Sequence, residues 1–154
     1  MIRAVAAALL AGAALGGCSG DDERKSSPGP PKPDYALADE AVVRLWTKAL
    51  YEGHYGRAAS FFAPRAIVQQ GYTKVLRTRA EAIAFNRSLT CRASVQAIEH
   101  EKNRVLLATF NLAPGPHGGC STGGTVRVRF FIRRGLIETW HQLPDRPARP
   151  AQQS

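Results

Sequence analysis

The sequence predicts an α+β fold, a curved antiparallel sheet with three N-terminal helices packed on one face. Two observations carry this expectation. From Thr125 to Leu143 the chain reads TVRVRFFIRRGLIETWHQL. In it Val126, Val128, Phe130 and Ile132 alternate with Arg127, Arg129 and Arg133, the period of a strand with one buried face. Arg134-Gly135 offers a tight turn, because glycine tolerates the positive φ of a short hairpin, and Leu136 to Leu143 returns as a second strand. Upstream, apolar residues recur first at helical and then at strand spacing, so helices come before a four-stranded meander and gather on one of its faces.

The elements follow in order. Asp39 is the expected N-cap of the first helix, whose apolar face is Ala38, Ala41, Val42, Leu45, Trp46, Ala49 and Leu50, and Gly53 ends it. A second helix runs from His54 to Phe62 and is stopped by Ala63-Pro64. Ala66–Gln70 and Tyr72–Leu76 are short strands on either side of Gly71. Thr78-Arg79-Ala80-Glu81 is a capping box opening a third helix that reaches Leu89. Ser94–Glu101 and Arg104–Leu112 form a hairpin turning at Lys102-Asn103. Ala113 to Gly124 is a Gly/Pro loop leading into the last hairpin, and no internal repeat is present.

The chain has 154 residues, 44% of them hydrophobic and 21% charged, enough for one domain with a core. Arginine outnumbers lysine 16 to 5 and the formal net charge is +9. A basic balance can serve nucleic acid, an anionic surface or solubility alone, and the N-terminus decides between them. Met1-Ile2-Arg3 is a minimal positive region, and Ala4 to Leu15 is apolar but too short for a permanent membrane span. Leu15-Gly16-Gly17-Cys18 resembles the lipobox of a bacterial lipoprotein, in which Cys18 becomes the lipidated first residue. An ordinary secretory signal that contains a cysteine is the other reading. The expected organisation is a signal peptide (1–17), lipidated Cys18 with a disordered Pro-rich linker (18–34), a folded domain (35–143) and a disordered tail (144–154). This places the domain outside the cytoplasm, held to a bacterial cell membrane through Cys18, and removes nucleic acid as a partner.

From Asp39 to Leu143 the chain resembles the nuclear transport factor 2-like superfamily, most closely its SnoaL-like branch. The residues that carry the resemblance are LWTKALYEGHYGRAASFFAPRAIV (45–68), TRAEAIAF (78–85) and VRFFIRRGLIETWHQL (128–143). The resemblance implies a sheet curled into a cone, with the helices on its concave face around an apolar pocket. It also implies a choice of functions, since the superfamily includes ketosteroid isomerase, polyketide cyclases, hydrolases and non-catalytic binding or assembly domains.

Laid on the isomerase pattern, the general base falls at Gln69-Gln70, the oxyanion tyrosine at Trp46 and the late-strand acid at Arg127-Val128. Glutamine takes no proton, and Trp46 offers one indole donor at most. The isomerase mechanism is therefore excluded. The histidines His54, His100, His117 and His141 form no metal-ligand spacing, and no cofactor is implied. If Ile137 points into the cone, strand alternation aims His141 at the pocket, opposite Trp46, Tyr51 and Tyr55. These four residues are the candidate ligand-binding set. His141 then reads either as a polar contact or proton carrier for a ligand, or as a core histidine bonded to a helix side chain. Arg127, Arg129, Phe131 and Arg133, extended by Trp140, form an outer stripe. It reads either as a solvated face or as a surface for anions, a protein partner or a second copy, since the superfamily often dimerises through that face.

Lipidation of Cys18 leaves Cys91 and Cys120, an even number for an oxidising compartment. With the first hairpin turning at Lys102-Asn103, Cys91 lies opposite Pro114, and Cys120 follows in the loop held at that end. A Cys91–Cys120 disulfide is expected. The functional expectation is a non-enzymatic module binding a small apolar ligand or an envelope protein. The alternatives are a cyclase-, isomerase- or hydrolase-like enzyme using His141, and a structural dimerisation module.

Overall fold

The computed structural model describes residues 34–115, 118–120 and 123–144. The expected signal peptide and lipidation site at Cys18, the expected linker before Asp34, His117 and the expected tail beyond Pro144 lie outside the described residues. The elements are α1 (Asp34–Tyr51), α2 (Tyr55–Ala59), β1 (Phe62–Gln70), β2 (Tyr72–Leu76), α3 (Arg79–Ser88), β3 (Arg92–His100), β4 (Val105–Ala113), β5 (Thr125–Arg133) and β6 (Leu136–Gln142). The six strands form one curved, unclosed sheet in the order β2-β1-β6-β5-β4-β3.

The α+β class is as expected, but the sheet is mixed rather than antiparallel. β1 runs parallel to β6, while the other four pairings are antiparallel. The cause lies where the second helix was expected to continue. Ser60 caps α2, its hydroxyl donating to the Arg57 carbonyl at 2.7 Å, and the chain turns at once into β1. Phe62 becomes a strand residue beside Ile137, and the Ile137 amide donates to the Phe61 carbonyl at 2.8 Å. Pro64 does not stop a helix. It sits in a register shift between Phe62 and Ile67, where its missing N–H removes no ladder bond, and Arg65 beside it takes φ 64°.

α1 also differs from expectation. It starts at Asp34, so Asp39 is an interior residue, only 4% exposed, and its carboxylate accepts from Arg104 at 3.1 Å. The guanidinium of Arg104 lies over the Tyr35 ring, 4.5 Å from its centroid, which secures the first turn. The buried stripe is Ala36, Asp39, Val42, Val43, Trp46, Thr47 and Ala49, whereas Leu45 is 44% exposed. A charged residue occupies a stripe position because its partner arrives from β3–β4, out of reach of any local pattern. The helix ends as expected at Gly53, φ 73°. There the Gly53 amide bonds to the Leu50 carbonyl and the His54 amide to the Ala49 carbonyl, a left-handed cap that satisfies two terminal acceptors.

α3 carries the expected capping box, with the Glu81 amide donating to Thr78 Oγ1 at 3.1 Å and the Thr78 amide to Glu81 Oε2 at 3.3 Å. Cys91 directly precedes the Arg92–Ala113 pair, so β3 and β4 hold the expected register as far as Val95–Phe110, beyond which it shifts at Gln96. The β5–β6 turn is Arg134-Gly135, with φ of 53° and 75°, the two positive values of the turn whose twist suits a two-residue hairpin.

The helix-covered face of the sheet is the core. Trp46 stands at its centre, with ring centroids of Phe62, Phe110, Phe130 and Trp140 at 6.2, 6.4, 5.6 and 6.5 Å, every one edge-on. Phe85 of α3 closes the group against Trp140 at 5.1 Å. Edge-to-face pairs of this kind each add about 0.5–1.5 kcal/mol beyond area burial.

Candidate functional site

One end of this core is not filled. A cavity of about 140 Å³ lies between α1 and the strands. Its walls are Trp46, Leu50, Leu89, Ala93, Phe110, Leu112, Val126, Val128 and Trp140, with Thr47, Tyr51, Gln70, Ser88, Thr90, Cys91, Arg92 and Gln142 supplying polar groups. The volume is close to the ~150 Å³ that accommodates benzene and below the ~300 Å³ where drug-sized pockets begin. An outer chamber of about 250 Å³ shares Leu50, Tyr51, Leu89, Thr90, Cys91 and Arg92 with it and adds Glu52, Gly53 and Tyr55.

The four candidate residues divide accordingly. Trp46 lines the inner cavity, Tyr51 lines both chambers, and Tyr55 lines the outer one alone. His141 lines neither, which corrects the expected placement. The ladder between β5 and β6 slips at Glu138, with Ile132 opposite Ile137 but Phe131 opposite Thr139. That extra residue reverses the alternation along β6. Ile137 stays inward and fully buried, after which Trp140 and Gln142 face the cavity. His141 lies opposite Arg129 on one side and Gln69 on the other, on the outer face. Trp140, expected on that outer stripe, belongs to the core.

Trp46 has its polar atom committed. Its Nε1 donates to Asn86 Oδ1 at 3.0 Å, and Asn86 Nδ2 donates to the Ala82 carbonyl at 2.8 Å. Asn86 is fully buried, so this pair locks Trp46 against α3 and leaves it only its ring faces for a ligand. Nothing local in the sequence marks Asn86, since its partner is 40 residues away. Ser88 and Thr47 likewise donate their hydroxyls to backbone carbonyls, at 2.7 and 2.8 Å.

The mouth is braced by the expected disulfide. Cys91 and Cys120 are bonded, with Cα atoms 5.5 Å apart. Gly115 fits the same loop against Thr90, where an added Cβ would lie 1.9 Å from the Thr90 carbonyl oxygen, so only glycine permits this approach. At the rim Arg92 lies over the Tyr51 ring at 5.3 Å and Arg87 over Tyr55 at 5.8 Å. Among the described residues the inner cavity is lined by no Asp, Glu or His, and no group of three metal-ligating side chains forms.

The outer stripe is largely neutralised. Glu101 holds Arg129 with two bonds of 2.8 and 3.0 Å, and Glu138 holds Arg133 at 2.7 Å. The Arg129 hydrogen bond lowers the pKa of Glu101, and the same bond raises that of Arg129. Between these ion pairs Ile67, Thr139, Phe131 and Val105 follow one another across β1, β6, β5 and β4.

No family model matches the chain, and no curated sequence does. Solved structures do. Bal32a from a soil-derived mobile gene cassette is 12% identical with a TM-score of 0.58, over 71% of this chain and 91% of its own. A nuclear transport factor 2-like protein of unknown function from Cytophaga hutchinsonii is 11% identical with a TM-score of 0.56, over 70% and 89%. A Kribbella flavida protein with the provisional name ketosteroid isomerase is 14% identical with a TM-score of 0.55, over 75% and 85%. At these identities the likeness is one of shape. The chain therefore has the nuclear transport factor 2-like fold, the cone that its sequence resembles.

Proposed function

We propose that this domain is a lipid-anchored, extracytoplasmic binding module that holds a small apolar molecule in the cone cavity without transforming it. The observation that carries the reading is the composition of the inner cavity, apolar walls with amides, hydroxyls and the Arg92 guanidinium but no described acid or imidazole. Proton transfer needs a group that titrates near the working pH. Gln70, at the position where the resemblance places the isomerase base, lines the cavity as a neutral amide. His141 stands on the outer face, so the enzymatic alternative built on it has no residue in the cavity. The Cys91–Cys120 bond suits an oxidising compartment, and no described helix is long and apolar enough to cross a membrane. The anchor itself rests on the lipobox-like run ending at Cys18.

An envelope protein remains a second kind of partner, supported by the apolar row on the outer face, where Ile67 is 43% exposed. Native mass spectrometry of the chain taken from its own membrane tests these readings together. The expected spectrum carries diacylglyceryl mass on Cys18 and a small adduct that dissociates at higher collision energy, and Cys18→Ala should leave the membrane fraction. An unmodified Cys18 sinks the anchor. A protein adduct in place of a small one shifts the reading to the outer face.

A further inference from the structure

Charge is unevenly placed around the opening of the cone. Arg92 is the only charged residue among the described lining of the inner cavity, and it lines the outer chamber as well. Its backbone is fixed, since it follows the disulfide-bonded Cys91 and pairs with Ala113 at the start of β3. Its guanidinium lies over the Tyr51 ring, 5.3 Å from the centroid, and Tyr51 lines both chambers too. Stacking of this kind holds the guanidinium plane without using its N–H donors, which point outward in that plane. Among the described residues no acidic side chain pairs with Arg92, whereas Arg104, Arg129 and Arg133 all have carboxylate partners.

The rest of the outer chamber has the same sign. Tyr55 on its wall carries a second guanidinium, that of Arg87, at 5.8 Å. Glu52, the one acid among its described lining, is already shared by His54 at 3.3 Å and Lys48 at 3.8 Å. The inner end is different. Trp46, Phe110, Val128 and Trp140 offer no counter-charge there, and Gln70 and Gln142, on β1 and β6, are neutral amides. The Thr47 and Ser88 hydroxyls and the Trp46 indole already donate within the protein. A buried charge without a partner is strongly disfavoured, so an anion is excluded from the inner end and favoured at the opening.

We infer, on the reading that the cavity is the ligand site, that its ligand is an amphiphile, a small carboxylic acid bound as its anion. The carboxylate meets the Arg92 fork at the opening, where parallel N–H donors match its two oxygens. The apolar body lies inside, against Trp46, Phe110 and Val128. The inner cavity of about 140 Å³ limits that body to the size of a single ring. Arg92 then fixes which end of the ligand enters first.

The test is isothermal titration calorimetry of the full chain at neutral pH with probes of one skeleton, 3-phenylpropanoate, 3-phenylpropanamide and 3-phenylpropylammonium. The anion should bind about fivefold more tightly than the amide, by a margin that shrinks with added salt, and the cation should bind weakest. Arg92 is exposed, so Arg92→Gln should fold as wild type does. That variant should bind anion and amide alike, while Arg92→Lys keeps part of the preference. Acetate, which has the head without the body, should bind about a hundredfold more weakly than 3-phenylpropanoate. Equal wild-type affinities for anion and amide, or an anion preference that survives in Arg92→Gln, overturn the carboxylate assignment while the cavity stands as a site. Acetate binding as tightly as 3-phenylpropanoate, or no binding by any probe, removes the cavity reading itself.

Discussion

Breaking the disulfide should cost this domain much of its stability. Cys91 and Cys120 are 29 residues apart in sequence. On the chain-entropy relation, a loop of that size removes about 12 cal/mol/K from the unfolded chain, about 3.6 kcal/mol at 25 °C. The folded region spans roughly 110 residues, for which the unfolding entropy is about 0.23 kcal/mol/K, so the expected fall in Tm is about 15 °C. Cys120→Ser is the better variant, because Cys91 lines both chambers and Cys120 lines neither. Thermal unfolding followed by far-UV circular dichroism, with and without reductant, measures the effect. Reductant should lower the wild-type Tm to near that of Cys120→Ser and leave the variant unchanged. A second consequence follows from geometry, since the bond and the Gly115–Thr90 approach hold the same loop at the mouth. Reduction should therefore also weaken probe binding in the cavity. A fall below about 3 °C, under about 0.7 kcal/mol, would refute the loop argument, as would a peptide map of unreduced protein without the Cys91–Cys120 linkage.

Two further outcomes follow from the core and from the carboxylates. Asn86→Ala removes the acceptor of the Trp46 indole and opens a void between α1 and α3, a loss of about 2–4 kcal/mol by urea unfolding; a loss under about 1 kcal/mol would mean that Trp46 finds another acceptor. Glu81 and Glu101 have pKa values held below 4.5, Glu81 first by the Arg77 amide and Glu101 first by its bond from Arg129. A depressed folded value means that the stabilisation is complete above about pH 4.5 and lost as pH falls through the folded pKa. The Glu81→Gln/Glu101→Gln variant should thus lose less Tm than wild type between about pH 6 and about pH 3, and superimposable acid profiles would rule the effect out.

The sequence by itself determined what depends on neighbours along the chain. Thr78 and Glu81 cap α3 because each reaches the other's backbone within one turn. Gly53 ends α1 and Arg134-Gly135 turns the last hairpin because the positive φ is a local requirement. Register counted from a Lys102-Asn103 turn placed Cys91 correctly, but only because the shift at Gln96 offsets a turn that takes one residue more, Lys102–Arg104. What only the tertiary structure decided depends on partners far along the chain. Asp39 reads locally as a helix cap, and Arg104 makes it an interior ion pair. Pro64 reads as a helix stop, and the parallel contact with β6 turns it into part of a strand irregularity. The largest displacement is at Glu138. A strand's side chains alternate with period two, so one unpaired residue exchanges the faces of all that follow. Nothing in LIETWHQL announces that bulge; it forms because Trp140 fits among Trp46, Phe85 and Phe130, contacts that exist only once α1, α3 and β5 have come together. It put Trp140 in the cavity and His141 outside, and so decided which side chain a ligand would meet.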